Sequence, residues 1–272
     1  MASDFIEMSF RHSQLLHKHV KFLYSNGSMY KCVNSNLLYH GCIPMKADGQ
    51  FESMVIDGVP YSGKNWMDYI DKQVQNAYFL PEGTREKEYA RDFMWYLWCG
   101  PKSPLYGKNR MTTFERYFIG DKEAHREISN PYYQLSVKEE TCDRILEEFG
   151  LPRKGSHIIN GHIPVKIKDG ESPVKANGKL FIIDGGLSKA YQSTTGIGGY
   201  TLIYNSRHLA LAEHKPFVRE KGTSPAVHIV EQVKKRVLVA DTDIGKELAE
   251  RIDDLKELLL AYKDGIIKEK VE

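Results

Sequence analysis

The stretch from residue 157 to residue 212 narrows the folds open to this chain more than any other part of it. It contains short runs rich in branched and aromatic residues: His157-Ile158-Ile159-Asn160, Pro164-Val165-Lys166-Ile167, Lys179-Leu180-Phe181-Ile182-Ile183-Asp184, Tyr200-Thr201-Leu202-Ile203-Tyr204 and Leu209-Ala210-Leu211-Ala212. Turn-forming residues separate them, with Asp169-Gly170 and Asn205-Ser206 as hairpin-type signals, so they read as strands. Two further short runs lie near the start, Met29–Val33 and Leu37–Tyr39, joined by the polar turn Asn34-Ser35-Asn36.

Helical periods surround these strands. Phe10, Leu16, Val20 and Leu23 recur at helical spacing before the Asn26-Gly27 turn. From 64 to 99 the apolar positions are Trp66, Tyr69, Ile70 and Val74, then a Pro81-Glu82-Gly83 break, then Tyr89, Phe93, Met94 and Leu97. Residues 138–149 predict an amphipathic helix with Cys142, Ile145, Leu146 and Phe149 on one side and Gly150 as its stop. A last helix, with Ile244, Leu248, Ile252, Leu255 and Leu259 in step, has Asp241 or Thr242 available as N-cap. The expected class is α/β, mixed strands with helices on their faces.

At 272 residues, one large domain or two small ones would bury a sizeable core. Hydrophobic residues at 41% and charged residues at 27% match a globular chain and exclude the disordered and membrane classes. No basic region followed by an apolar run opens the sequence and no stretch approaches a membrane span, so the chain reads as cytoplasmic. A net charge of +2 without a basic stripe argues against nucleic acid, and small molecules are the expected partners. Cys32, Cys42, Cys99 and Cys142 form no Cys-x-x-Cys pair, which leaves reduced thiols.

Two histidines sit beside glycine where predicted strands end, in Tyr39-His40-Gly41 and Asn160-Gly161-His162. Ligands collect at the carboxyl ends of strands in α/β sheets, and imidazole is a common metal ligand. The pair is a candidate metal site, while either histidine alone reads better as a hydrogen-bonded loop or core residue. The turn Asp184-Gly185-Gly186 and the segment Lys189-Ala190-Tyr191 follow another strand and either face the same cleft or form a tight turn and nothing more.

The segment from His157 to Lys166 and the segment from Gly170 to Tyr191 resemble the C-terminal metal-binding block of class III fructose-1,6-bisphosphatases, in the calcineurin-like metallophosphoesterase superfamily. Arg11-His12-Ser13-Gln14, Gly27-Ser28-Met29-Tyr30, Tyr39–Pro44, Met94–Trp98 and Met111–Tyr117 are similar to the same family in the same order, so the resemblance covers nearly the whole chain. It implies the C-terminal part of a calcineurin-like two-sheet sandwich. A helical insertion is expected at about 60–150, a strand-rich metal-site block at about 155–240 and a C-terminal helix at 241–264.

The function implied is metal-dependent hydrolysis of fructose 1,6-bisphosphate to fructose 6-phosphate and phosphate, a step of gluconeogenesis, with manganese in a two-metal site. His40 and His162 would be metal ligands. Arg110, in the loop Trp98–Arg110, would clamp a substrate phosphate, and Lys189 and Tyr191 would contact the substrate. The superfamily's other ligands come from Asp-x-His, Gly-Asp-x-x-Asp and Gly-Asn-His motifs, and none of the three occurs here. The expectation is a truncated form, inactive alone, that associates with itself or with a missing N-terminal half. Two alternatives stay open: a non-catalytic module binding sugar phosphate or a partner, and a calcineurin-like phosphatase of another substrate.

Overall fold

The computed structural model describes residues 8–186, 193, 195–196, 199–214 and 225–268. Helix α1 (Gln14–Asn26) starts at Ser13, whose hydroxyl accepts the Leu16 N–H, and none of its residues is buried. Strands β1 (Tyr30–Val33) and β2 (Asn36–Tyr39) then pair antiparallel through Asn34-Ser35. Both turn residues have positive φ (48° and 63°), the primed geometry whose twist suits a two-residue hairpin.

From β2 the chain leaves the sheet and returns only at β5 (His157–Asn160). Between lie the hairpin β3 (Ser53–Ile56) and β4 (Val59–Ser62), then α2 (Gly63–Phe79), α3 (Arg85–Cys99), α4 (Thr113–Phe118), α5 (Tyr132–Leu135) and α6 (Glu139–Glu148). β6 (Val174–Lys175) and β7 (Leu180–Ile182) complete a five-stranded mixed sheet of order β1-β2-β5-β7-β6. Its middle strands β2, β5 and β7 run parallel, with Leu37 beside Ile158 and Ile158 beside Leu180.

The middle of that sheet is covered on both faces, which is why β5 and β7 carry apolar residues in succession, Ile158-Ile159 and Leu180-Phe181, all buried. On one face Leu37, Tyr39, Ile158 and Leu180 pack with Cys142, Ile145 and Leu146 of α6. On the other, Ile159 and Phe181 meet Tyr200, Leu209 and Leu211 of a second, antiparallel sheet made of β8 (Tyr200–Tyr204), β9 (His208–Glu213) and β10 (Ala226–Gln232). α2 and α3 close on each other around Trp66, Ile70, Phe93 and Leu97. The last helix, α7 (Asp243–Lys263), is capped by Thr242, whose hydroxyl accepts the Gly245 N–H. Asp243 and Asn34 hold each other through reciprocal bonds, Asn34 N–H to Asp243 Oδ2 at 2.6 Å and Asp243 N–H to Asn34 Oδ1 at 2.9 Å.

Two local expectations change. Pro164–Ile167 is not a strand: the Val165 N–H donates to the Asp184 carbonyl and Ile167–Asp169 forms a 3-10 turn. Gly170, at φ 76°, closes that turn rather than a hairpin. Among the described residues, no helix is long and apolar enough to cross a membrane.

Candidate metal and phosphate site

Parallel strands β2, β5 and β7 end side by side, so the residues that follow them share one rim. Those residues are His40-Gly41, Gly161-His162 and Ile183-Asp184. The Gly161 N–H donates to the His40 carbonyl at 3.1 Å, which stitches the first two strand ends together. His162 Nδ1 then lies 3.1 Å from His40 Nε2, with the rings nearly edge to face. Gly41 is required by what crosses above it: a Cβ there would meet the carbonyl oxygens of Pro104 and Leu105, the latter at 2.6 Å. The Cys42 N–H donates to the same Pro104 carbonyl, which lays the 103–108 loop over this end of the sheet.

Burial lowers the pKa of His162, neighbouring His40 and Lys108 lower it further, and Asp184 opposes them. The ring is therefore neutral at neutral pH and has a lone pair to offer. Metal–nitrogen bonds of about 2.0–2.1 Å at angles of roughly 90–110° place two ligand nitrogens about 2.8–3.4 Å apart, so the observed spacing suits two imidazoles on one ion. Among the described residues no group of three or more His, Cys, Asp or Glu side chains is arranged to hold a metal. The described side chains thus fit part of a metal centre and leave its remaining positions to other ligands.

A cleft of about 450 Å³ opens at this rim, with Met29, Leu38, Ile159 and Ile183 as its apolar wall and His40 and Gly161 at its edge. Lys108 brings a positive charge near His162. Its ammonium pairs with Glu127 Oε2 at 2.6 Å, and Glu127 also accepts the Thr112 N–H and hydroxyl at 2.9 and 3.0 Å. Burial would raise the Glu127 carboxyl, but the Lys108 and Thr112 hydrogen bonds outweigh it and hold the pKa down to about 2, so this anion persists at any working pH.

Of the residues expected from sequence, His40 and His162 come together. Arg110 is exposed, and its guanidinium reaches the carbonyls of Arg126 and Glu123 in the segment beyond α4, bonds that do not tie it to the imidazole pair. Lys189 and Tyr191 lie outside the described residues. Lys108 escaped the sequence reading because nothing in Gly107-Lys108-Asn109 marks it apart from any polar loop.

The family described as Firmicute fructose-1,6-bisphosphatase matches residues 3–264. Proteins named fructose-1,6-bisphosphatase class 3 align over nearly all of the chain: that of Clostridium novyi (strain NT) at 55% identity, over 96% of this chain and 40% of its own length. Those of Clostridium tetani (strain Massachusetts / E88) and Clostridioides difficile (strain 630) are 54% and 53% identical, each over 98% of this chain and 41% of its own. The chain thus spans about 40% of the length of the curated relatives it matches. No solved structure matches it significantly.

Proposed function

Because the chain belongs to the Firmicute fructose-1,6-bisphosphatase family, we propose that it forms part of a metal-dependent phosphatase hydrolysing fructose 1,6-bisphosphate to fructose 6-phosphate and phosphate in the cytoplasm. The observation that carries this reading is the convergence of His40 and His162, 122 positions apart in sequence, to a nitrogen separation of 3.1 Å at the ends of parallel strands. Two sheets packed face to face support the calcineurin-like sandwich as its framework.

His40 and His162 would hold one ion, manganese by resemblance to the family. A bound metal supplies Lewis acidity toward the phosphoryl group. The chain's own groups do the rest of the work assigned here. The neutral His162 imidazole offers a nitrogen lone pair without first losing a proton. Lys108 faces the substrate phosphate as a second cation beside the Arg110 clamp, and Lys189 and Tyr191 supply further substrate contacts. Leu38, Ile159 and Ile183 give the cleft beside His40 an apolar wall.

Two imidazoles leave most of a two-metal centre to be supplied, so the remaining ligands come from the rest of the family's length, in the same chain or in a partner. Exposed apolar residues on α1 and α7, among them Phe22, Leu23, Leu255 and Leu259, favour such an association, with a second copy as the other partner.

Phosphate release from fructose 1,6-bisphosphate with manganese tests the reading on three proteins: this chain, a longer form spanning the relatives' full length, and that form carrying His162→Ala. Activity is expected only in the longer form and is lost on substitution. A longer form that releases no phosphate overturns the assignment and puts the non-catalytic binding module ahead.

A further inference from the structure

Directly beneath the imidazole pair lies a buried polar chain that the sequence reading passed over. Tyr39, Tyr132 and Asn160 are 5%, 0% and 7% exposed. The Tyr39 and Tyr132 hydroxyls lie 2.6 Å apart, and the Asn160 amide donates to the Tyr132 hydroxyl at 2.8 Å and to the Gly41 carbonyl at 3.3 Å. Three hydrogen-bonding side chains buried together are costly unless each has partners, and here each has at least one.

Its position is what gives this chain a role. Tyr39 immediately precedes His40, and Asn160 stands two residues before His162. Tyr132 comes from α5, outside the sheet. His40 is therefore bracketed: the Gly161 N–H holds its own carbonyl and the Asn160 amide holds the carbonyl of the next residue. Both amide hydrogens of Asn160 are used, one toward the β2 turn and one toward Tyr132, so the amide cannot rotate without losing a bond.

We propose that Tyr132 and Asn160 are positioning residues that set the separation of the His40 and His162 imidazoles, acting through the turn at Gly41. The metal role of the pair rests on the function proposed above, but the positioning role does not need a metal.

The first readout is the nitrogen–nitrogen coupling across the His162 Nδ1 to His40 Nε2 contact in ¹⁵N-labelled, metal-free protein at about pH 8, well above the ordinary imidazole pKa of about 6.5. The second is Zn²⁺ affinity by calorimetry. Wild type, Tyr132→Phe, Asn160→Ala, His162→Ala and Ile145→Val are compared, the last being a core change in α6 that touches none of these bonds. The coupling is expected in wild type and Ile145→Val and absent in Tyr132→Phe and Asn160→Ala. Zn²⁺ affinity is expected to fall by about 10-fold in those two, the low end of what losing a group bonded directly to a ligand costs, since neither side chain touches an imidazole, and to be unchanged in Ile145→Val. Coupling retained in both Tyr132→Phe and Asn160→Ala, or missing from wild type, overturns the positioning role. Zn²⁺ binding that survives His162→Ala removes the metal reading while the coupling still decides the positioning one.

Discussion

At the scale of single residues, His40 and His162 were legible because glycine beside histidine at the end of a predicted strand is a local pattern, and strand ends converge in any parallel sheet. Lys108 was not legible. Its place near His162 depends on the 103–108 loop being laid over Gly41 by the bond from the Cys42 N–H to Pro104, and no local pattern encodes a loop's landing point. Arg110 stood out by resemblance, yet its guanidinium is occupied with backbone carbonyls of the segment beyond α4. In a catalytically active longer form, Lys108→Met should therefore raise KM for the bisphosphate more than Arg110→Met does. A larger rise from Arg110→Met would move the phosphate contact there and mean that the loop rearranges around substrate.

Among the elements, those with a strong single period were the readable ones. α2 and α3 flank the Pro81-Glu82-Gly83 break, and α6 follows Cys142, Ile145 and Leu146. The β3–β4 hairpin was hidden by Pro60, which argues against a strand. The pair has only two strands, so the missing N–H at Pro60 leaves no second neighbour short of a bond. β10 was hidden by its largely exposed, mixed composition and by a register shift between Ile229 and Glu231. α6 seals one face of the central sheet with Ile145, which is fully buried. Ile145→Ala should cost about 2–5 kcal/mol of unfolding free energy by denaturant titration. A loss below about 1 kcal/mol would mean that the α6 face collapses around the gap or is not packed as described.

For the molecule as a whole, the two sheets are joined at the end opposite the imidazole pair by His157. Its Nε2 lies 2.7 Å from Glu231 Oε2 of β10, and its Nδ1 is 3.2 Å from Asn36 Oδ1. Burial lowers the His157 pKa; Glu231 pulls it back up, Lys179 adds to the lowering, and the net direction is down. A lowered imidazole pKa stabilises the fold above the unfolded value of about 6.5, and that contribution fades as pH falls below it toward the folded value. The melting temperature of the wild type should accordingly drop on acidification below about pH 6.5 more steeply than that of His157→Gln; parallel pH curves for the two proteins would show that His157 does not couple the sheets. The sequence by itself determined the α/β class, most of the strands, the long helices and which two histidines follow strand ends, because each rests on a period or a turn residue within a few positions of itself. Tertiary structure alone decided that those imidazoles stand 3.1 Å apart over a buried Tyr39–Tyr132–Asn160 chain, and that Lys108 comes near enough to His162 to act on it electrostatically. Contacts between residues a hundred positions apart are set by how packed layers and crossing loops meet, and no local pattern carries that information.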